Sequence, residues 1–75
     1  MVTVFREAGI RFVIYTDDRE PAHVHVYGDG EARIDIFTIR VLTNRGMTKR
    51  ELSRALALVE DHQANLIAQW RRIHG

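Results

Sequence analysis

The spacing of apolar residues changes once along this chain, at Thr48, and that change decides what it can fold into. Upstream, apolar side chains recur at every second position, the period of a half-buried strand; downstream they recur at three and four, the period of an amphipathic helix. Residues 2–6 and 10–15 flank Ala8-Gly9, a turn signal, and predict a hairpin. The stretch from Asp17 to Pro21 reads as a loop, because proline lacks a ladder donor and disfavours helix at Glu20, so a third strand starts near Ala22. Gly28-Asp29-Gly30 joins His23–Tyr27 to a fourth strand over residues 32–37. Residues 38–42 are β-branched and apolar and read as a fifth strand or an extended connection, ending at Asn44-Arg45-Gly46.

Thr48-Lys49-Arg50-Glu51 matches a capping box, in which a threonine hydroxyl and a glutamate three residues on satisfy free amides at a helix start. No glycine or proline follows until Gly75, and Leu52, Ala55, Leu56, Val59, Leu66, Ile67, Trp70 and Ile73 project onto one face. Gln63 lies in the middle of that face, so it must either reach a backbone partner or sit where the helix has left the sheet. The expected architecture is a single α+β domain over residues 1–75: a four- or five-stranded antiparallel sheet over 1–42, packed on one face by a single long C-terminal helix over 48–74. About 26 helical residues at roughly 1.5 Å each would reach about 39 Å, twice the span of a short strand. The helix is therefore expected to overhang, offering Leu66, Ile67, Trp70 and Ile73 as an interface for a second copy or a small protein partner.

A chain of 75 residues supports one small core, near the lower range at which one suffices. With no cysteine there is neither a disulfide framework nor a thiolate metal site, which fits a reducing cytoplasm. No export signal, no apolar run of membrane-spanning length and no cofactor-binding motif is read, so the expectation is a cytoplasmic protein with no membrane partner. The net charge of +1 hides a polarised distribution: Arg40, Arg45, Lys49, Arg50 and Arg54 cluster against Glu51 alone, while the earlier loops are acidic.

The motif with chemical potential is Glu20-Pro21-Ala22-His23-Val24-His25-Val26. On a strand His23 and His25 stand on one side while Val24 and Val26 face the core, which leaves the imidazoles on the polar surface of the sheet. Tyr27 shares their face, and neighbouring strands contribute Arg11, Tyr15, Arg33 and Asp35. Two imidazoles at this spacing can share a metal ion with Asp35 or Glu31 as an oxygen ligand, or one can move a proton while Arg33 steadies a phosphate, as a metal-independent ribonuclease needs. They can equally be passive surface residues. His23, His25 and Arg33 are the candidate catalytic residues.

The basic segment points elsewhere. Cations in a first helical turn oppose the helix dipole, so Lys49 and Arg50 call for a nearby anion. With Arg45 and Arg54 they form a candidate nucleic-acid contact, although no helix-turn-helix, zinc-finger or ribonucleoprotein motif is present.

Thr3-Val4-Phe5-Arg6, Arg11-Phe12, Pro21-Ala22-His23-Val24-His25-Val26, Gly30-Glu31-Ala32 and Gly46-Met47-Thr48-Lys49-Arg50-Glu51-Leu52 together resemble a small prokaryotic family, domain of unknown function 4160. Members typically carry a doubled proline before the two histidines; here the second is Ala22. The resemblance implies a small cytosolic protein from a toxin–antitoxin-like gene pair, with a protein partner and an RNA-directed activity, and it supplies no catalytic residue. The leading expectation is thus a toxin-like protein that binds or cleaves RNA. The alternatives are a non-enzymatic module that dimerises or docks a partner through its long helix, and a small metal-binding protein.

Overall fold

Five strands form one antiparallel sheet in sequence order: β1 Val2–Glu7, β2 Ile10–Ile14, β3 His23–Tyr27, β4 Glu31–Asp35 and β5 Arg40–Arg45, followed by α1 Lys49–Asp61 and α2 Gln63–His74. The computed structural model describes residues 2–74, and of Val2 and Thr3 the backbone alone. Ala8 and Gly9 turn the first hairpin with φ of 54° and 76°, both in the left-handed region that suits the twist of paired strands. The third strand begins one residue beyond Ala22, and the residues after β4 make a turn in place of strand: Asp35 Oδ1 accepts from the Phe37 and Thr38 amides at 2.8 and 2.9 Å, so β5 begins at Arg40.

The alternation sorts the sheet into two faces. Register pairs Phe12 with Val26, Val24 with Ile34 and Val26 with Ala32, and these positions form a fully buried face with Ile10, Ile14 and Ile36. The helices cover that face, burying Ala55, Leu58, Val59, Leu66 and Trp70 against it. Phe5 stacks on Phe12 at 4.2 Å and closes the β1 side. The opposite face pairs Val13 with His25, His25 with Arg33 and His23 with Asp35.

The capping box forms as its pattern predicts: Thr48 Oγ1 accepts from the Glu51 amide at 3.1 Å, and Glu51 Oε1 accepts from the Thr48 amide at 3.4 Å. Glu51 Oε2 also accepts from the Asp29 amide at 2.9 Å. It ties the β3–β4 turn to the helix start. Gly30 completes that junction, because a Cβ there would lie 2.3 Å from the Arg45 carbonyl oxygen.

The single long helix is not observed. The chain breaks at His62, whose φ of −104° and ψ of 13° leave helical geometry. Tertiary contacts account for the break: Phe5 packs on the His62 ring at 4.2 Å, His62 Nε2 donates to Glu7 Oε1 at 3.2 Å, and Gln63 Nε2 donates to the carbonyls of Ile36 and Phe37 at 2.9 and 3.2 Å. Gln63 thus reaches the backbone partner its position demanded. The overhang disappears with the break, and the longest dimension of the molecule is 33 Å. Leu66 and Trp70 are buried in the chain's own core, and Ile67 and Ile73 pack half-buried against it. Of the four residues expected to offer a surface to a partner, Leu66 and Trp70 are consumed internally. No helix among the described residues is long and apolar enough to cross a membrane.

Candidate histidine–carboxylate site

The two imidazoles are not on an open surface as the alternation alone implied, because the loop between β2 and β3 folds back over them. Asp18 anchors that loop: its amide donates to the Tyr15 carbonyl at 3.1 Å, and its Oδ2 accepts from the Tyr15 amide at 3.0 Å. The fold-back aims the other oxygen, Oδ1, at both rings, 3.2 Å from His25 Nε2 and 3.5 Å from His23 Nε2. The side chains of His23, His25 and Asp18 are 8%, 17% and 12% exposed, so the three polar groups meet in a place largely closed to water.

Each ring is held from a second side. His23 Nδ1 donates to the Pro21 carbonyl at 2.8 Å; since a carbonyl only accepts, the proton sits on Nδ1, and in the neutral ring Nε2 carries the lone pair. Trp70 packs 5.7 Å from the His23 ring, and the His25 ring takes the edge of Tyr15 at 4.6 Å. The Tyr15 hydroxyl hydrogen-bonds to that of Tyr27. Burial, then this hydrogen bond, with Glu31 adding to it, raises the Tyr27 phenol from 10.0 to about 12, against the pull of Arg11 stacked over its ring at 4.9 Å. Tyr27 is therefore a neutral donor or acceptor at any physiological pH.

Beside this cluster runs a groove with a volume of about 360 Å³, lined by Tyr15, His25, Tyr27, Arg33 and Arg45 among others. His25 is the member of the cluster that opens into it. Arg33 Nε donates to Thr43 Oγ1 at 3.3 Å, which ties together two residues of the groove lining. Glu31 adds one negative charge to the same lining against the two arginines.

The expected site residues are thus divided. His25, Arg33 and Arg45 come together; His23 lies behind His25, ring centroids 5.0 Å apart, out of the groove lining. Lys49, Arg50 and Arg54 are exposed on α1 and do not line the groove. Neither carboxylate expected beside the histidines takes that position. Asp35 pairs with His23 across the strands, but its Oδ1 is committed to the turn amides; the Thr38 amide first, then that of Phe37, with His23 adding a smaller pull, hold its carboxyl below the ordinary 3.8 against the effect of burial. Glu31 pairs with Tyr27 at the far end of β3. The carboxylate that does arrive, Asp18, comes from a loop, where alternation carries no information about direction.

Fold and site together define a small α+β domain with a histidine–carboxylate cluster that Asp18 and Trp70 of α2 both reach. The chain belongs to the family described as Domain of unknown function (DUF4160), which it matches over residues 9–71. That span holds Asp18, both histidines and every arginine of the groove. No curated protein and no solved structure matches the chain.

Proposed function

We propose that this domain binds single-stranded RNA in the groove between His25 and Arg45, as a small toxin-like cytoplasmic protein directed at RNA. One observation carries the reading: Arg33, Arg45, His25 and the Tyr15–Tyr27 pair, drawn from four strand regions, converge on one groove. Guanidinium groups pair with phosphate through paired donors, and aromatic rings offer faces on which unpaired bases stack without sequence preference. Among the described residues, the ion pairs within 4.0 Å all involve histidine, so neither groove arginine is engaged by a carboxylate at that distance. His25 supplies the imidazole that strand cleavage at this groove would require.

Fluorescence anisotropy of a labelled, unstructured RNA tests the reading. Wild-type protein should bind with an affinity that falls steeply as salt rises, and an Arg33→Ala/Arg45→Ala double variant should bind at least about 10-fold more weakly at the same salt. Equal affinity in the double variant, or no binding at low salt, would remove the groove from consideration. Cleavage is read separately from the length of the recovered RNA. In the alternative, in which the helix docks a partner, Ile67 and Ile73 are the half-buried residues left to meet it, since Leu66 and Trp70 lie within the core.

A further inference from the structure

We infer that Asp18 Oδ1, His23 Nε2 and His25 Nε2 form a binding site for a divalent transition-metal ion of borderline softness, such as Zn²⁺. The three atoms all lie within 4.8 Å of one another. A tetrahedral ion with bonds of about 2.0–2.1 Å sets its ligand atoms about 3.3 Å apart, and the two imidazole–carboxylate separations observed are 3.2 and 3.5 Å. The third pair, the two imidazole nitrogens, lies within 4.8 Å, so seating the ion draws the rings towards each other.

The unsatisfied chemistry of His23 is the strongest argument. Its residue is 6% exposed, its Nδ1 proton is spent on the Pro21 carbonyl, and its buried Nε2 has no hydrogen-bond partner. That nitrogen is aimed at a carboxylate oxygen. Two electron-rich atoms facing each other in a desolvated place repel unless a proton or a metal cation lies between them, and an unmatched polar atom in such a place is itself destabilising. The surroundings are those that hold ligands in position around a metal: a backbone carbonyl fixes the tautomer of one histidine, and the Tyr15 amide occupies Asp18 Oδ2 so that Oδ1 is left for the centre. His25, whose Nε2 proton now points at Asp18, joins the set by shifting that proton to Nδ1. Two nitrogen donors and one oxygen disfavour calcium and magnesium, which take oxygen ligands, and the chain has no cysteine to attract a softer ion. Three protein ligands would leave the remaining coordination position to solvent.

The inference stands apart from RNA binding and is tested without RNA. Protein purified without an affinity tag and stripped with chelator is titrated with Zn²⁺ by calorimetry and with Co²⁺ by visible absorption, and the fluorescence of Trp70, next to His23, reports on Co²⁺ at the same place. One equivalent should bind, with the absorption of a nitrogen–oxygen site of low coordination number, and Zn²⁺ should raise the melting temperature. Asp18→Asn, His23→Gln and His25→Gln should each weaken binding by at least about 10-fold, while His62→Gln and His74→Gln, outside the cluster, should leave it unchanged. Should His23→Gln fail to fold, Asp18→Asn carries the test, because it keeps the loop's shape and alters one ligand atom. Stoichiometry well below one, affinity unaffected by Asp18→Asn, or loss of binding in His62→Gln or His74→Gln would each overturn the site. RNA binding by the chelated protein with no uptake of Zn²⁺ would overturn the metal site and leave the groove standing; Zn²⁺ uptake without RNA binding would do the reverse.

Discussion

The two faces of the sheet are built on opposite terms. The face under the helices is apolar throughout, with Phe12, Val24, Val26, Ile34 and Ile36 fully buried, and none of these side chains needs a hydrogen bond. The other face is covered by one short loop, with Trp70 at the His23 end, and buries an imidazole with an unsatisfied nitrogen beside a carboxylate. The first arrangement is what stability selects, because each large apolar side chain removed from water contributes about 1.5–3 kcal/mol. The second works against stability unless something else binds there, and that contrast is why the polar face is the place to look for function.

The largest effect should come from the apolar face. Ile34→Ala, on the interior strand β4, should destabilise by about 2–5 kcal/mol, a large part of the whole for a domain whose stability is roughly 0.05–0.15 kcal/mol per residue. Urea unfolding with an unchanged slope measures it; a loss below about 1 kcal/mol would mean the two faces do not differ as described.

A smaller effect belongs to the polar face. Asp35→Ala removes the acceptor for two turn amides and should be destabilising by about 1–2 kcal/mol at neutral pH. Because the folded carboxyl lies below its ordinary 3.8, its contribution is present above that value and lost as the pH falls through the lowered one, so wild type and variant should converge in strong acid. Denaturation curves at both pH extremes check the sign, and a gap that persists in acid would assign the loss to packing.

The mildest test is spectroscopic. Of the chain's two tyrosines, Tyr27 should ionise only near pH 12 in an ultraviolet titration, and Tyr27→Phe should abolish that late phase. Its pKa is raised in the folded protein, so the associated stability is intact below 10.0 and disappears as the pH climbs through about 12. A late phase retained in Tyr27→Phe would show that the phenol pair is not closed off by burial and mutual hydrogen bonding.

What could be read from the residues alone follows from what is local. The limits of β3 come from Pro21 and Gly28, the first hairpin from Ala8-Gly9 and the helix start from Thr48 and Glu51, each a matter of backbone chemistry within a few residues. The pairing of Arg33 with His25 followed from a period of two carried across neighbouring strands. The break at His62 was illegible because its causes, Phe5, Glu7 and the Ile36 carbonyl, lie far away in the chain. Asp18 was illegible for a related reason: Asp17-Asp18 marks a polar loop, but only the path of that loop decides which carboxylate turns inward. Signals of period and capping have no term for either.

The cluster has a divided origin, since its imidazoles stand on a strand paired on both sides whereas its acidic member arrives from a turn. An exchange at Asp18 therefore alters the acidic member alone, while the hydrogen-bonded ladder keeps the strand that carries the rings in place. A scaffold of this kind separates what must be inherited intact from what can be reworked, and graft experiments that swap only the turn would put that modularity to use.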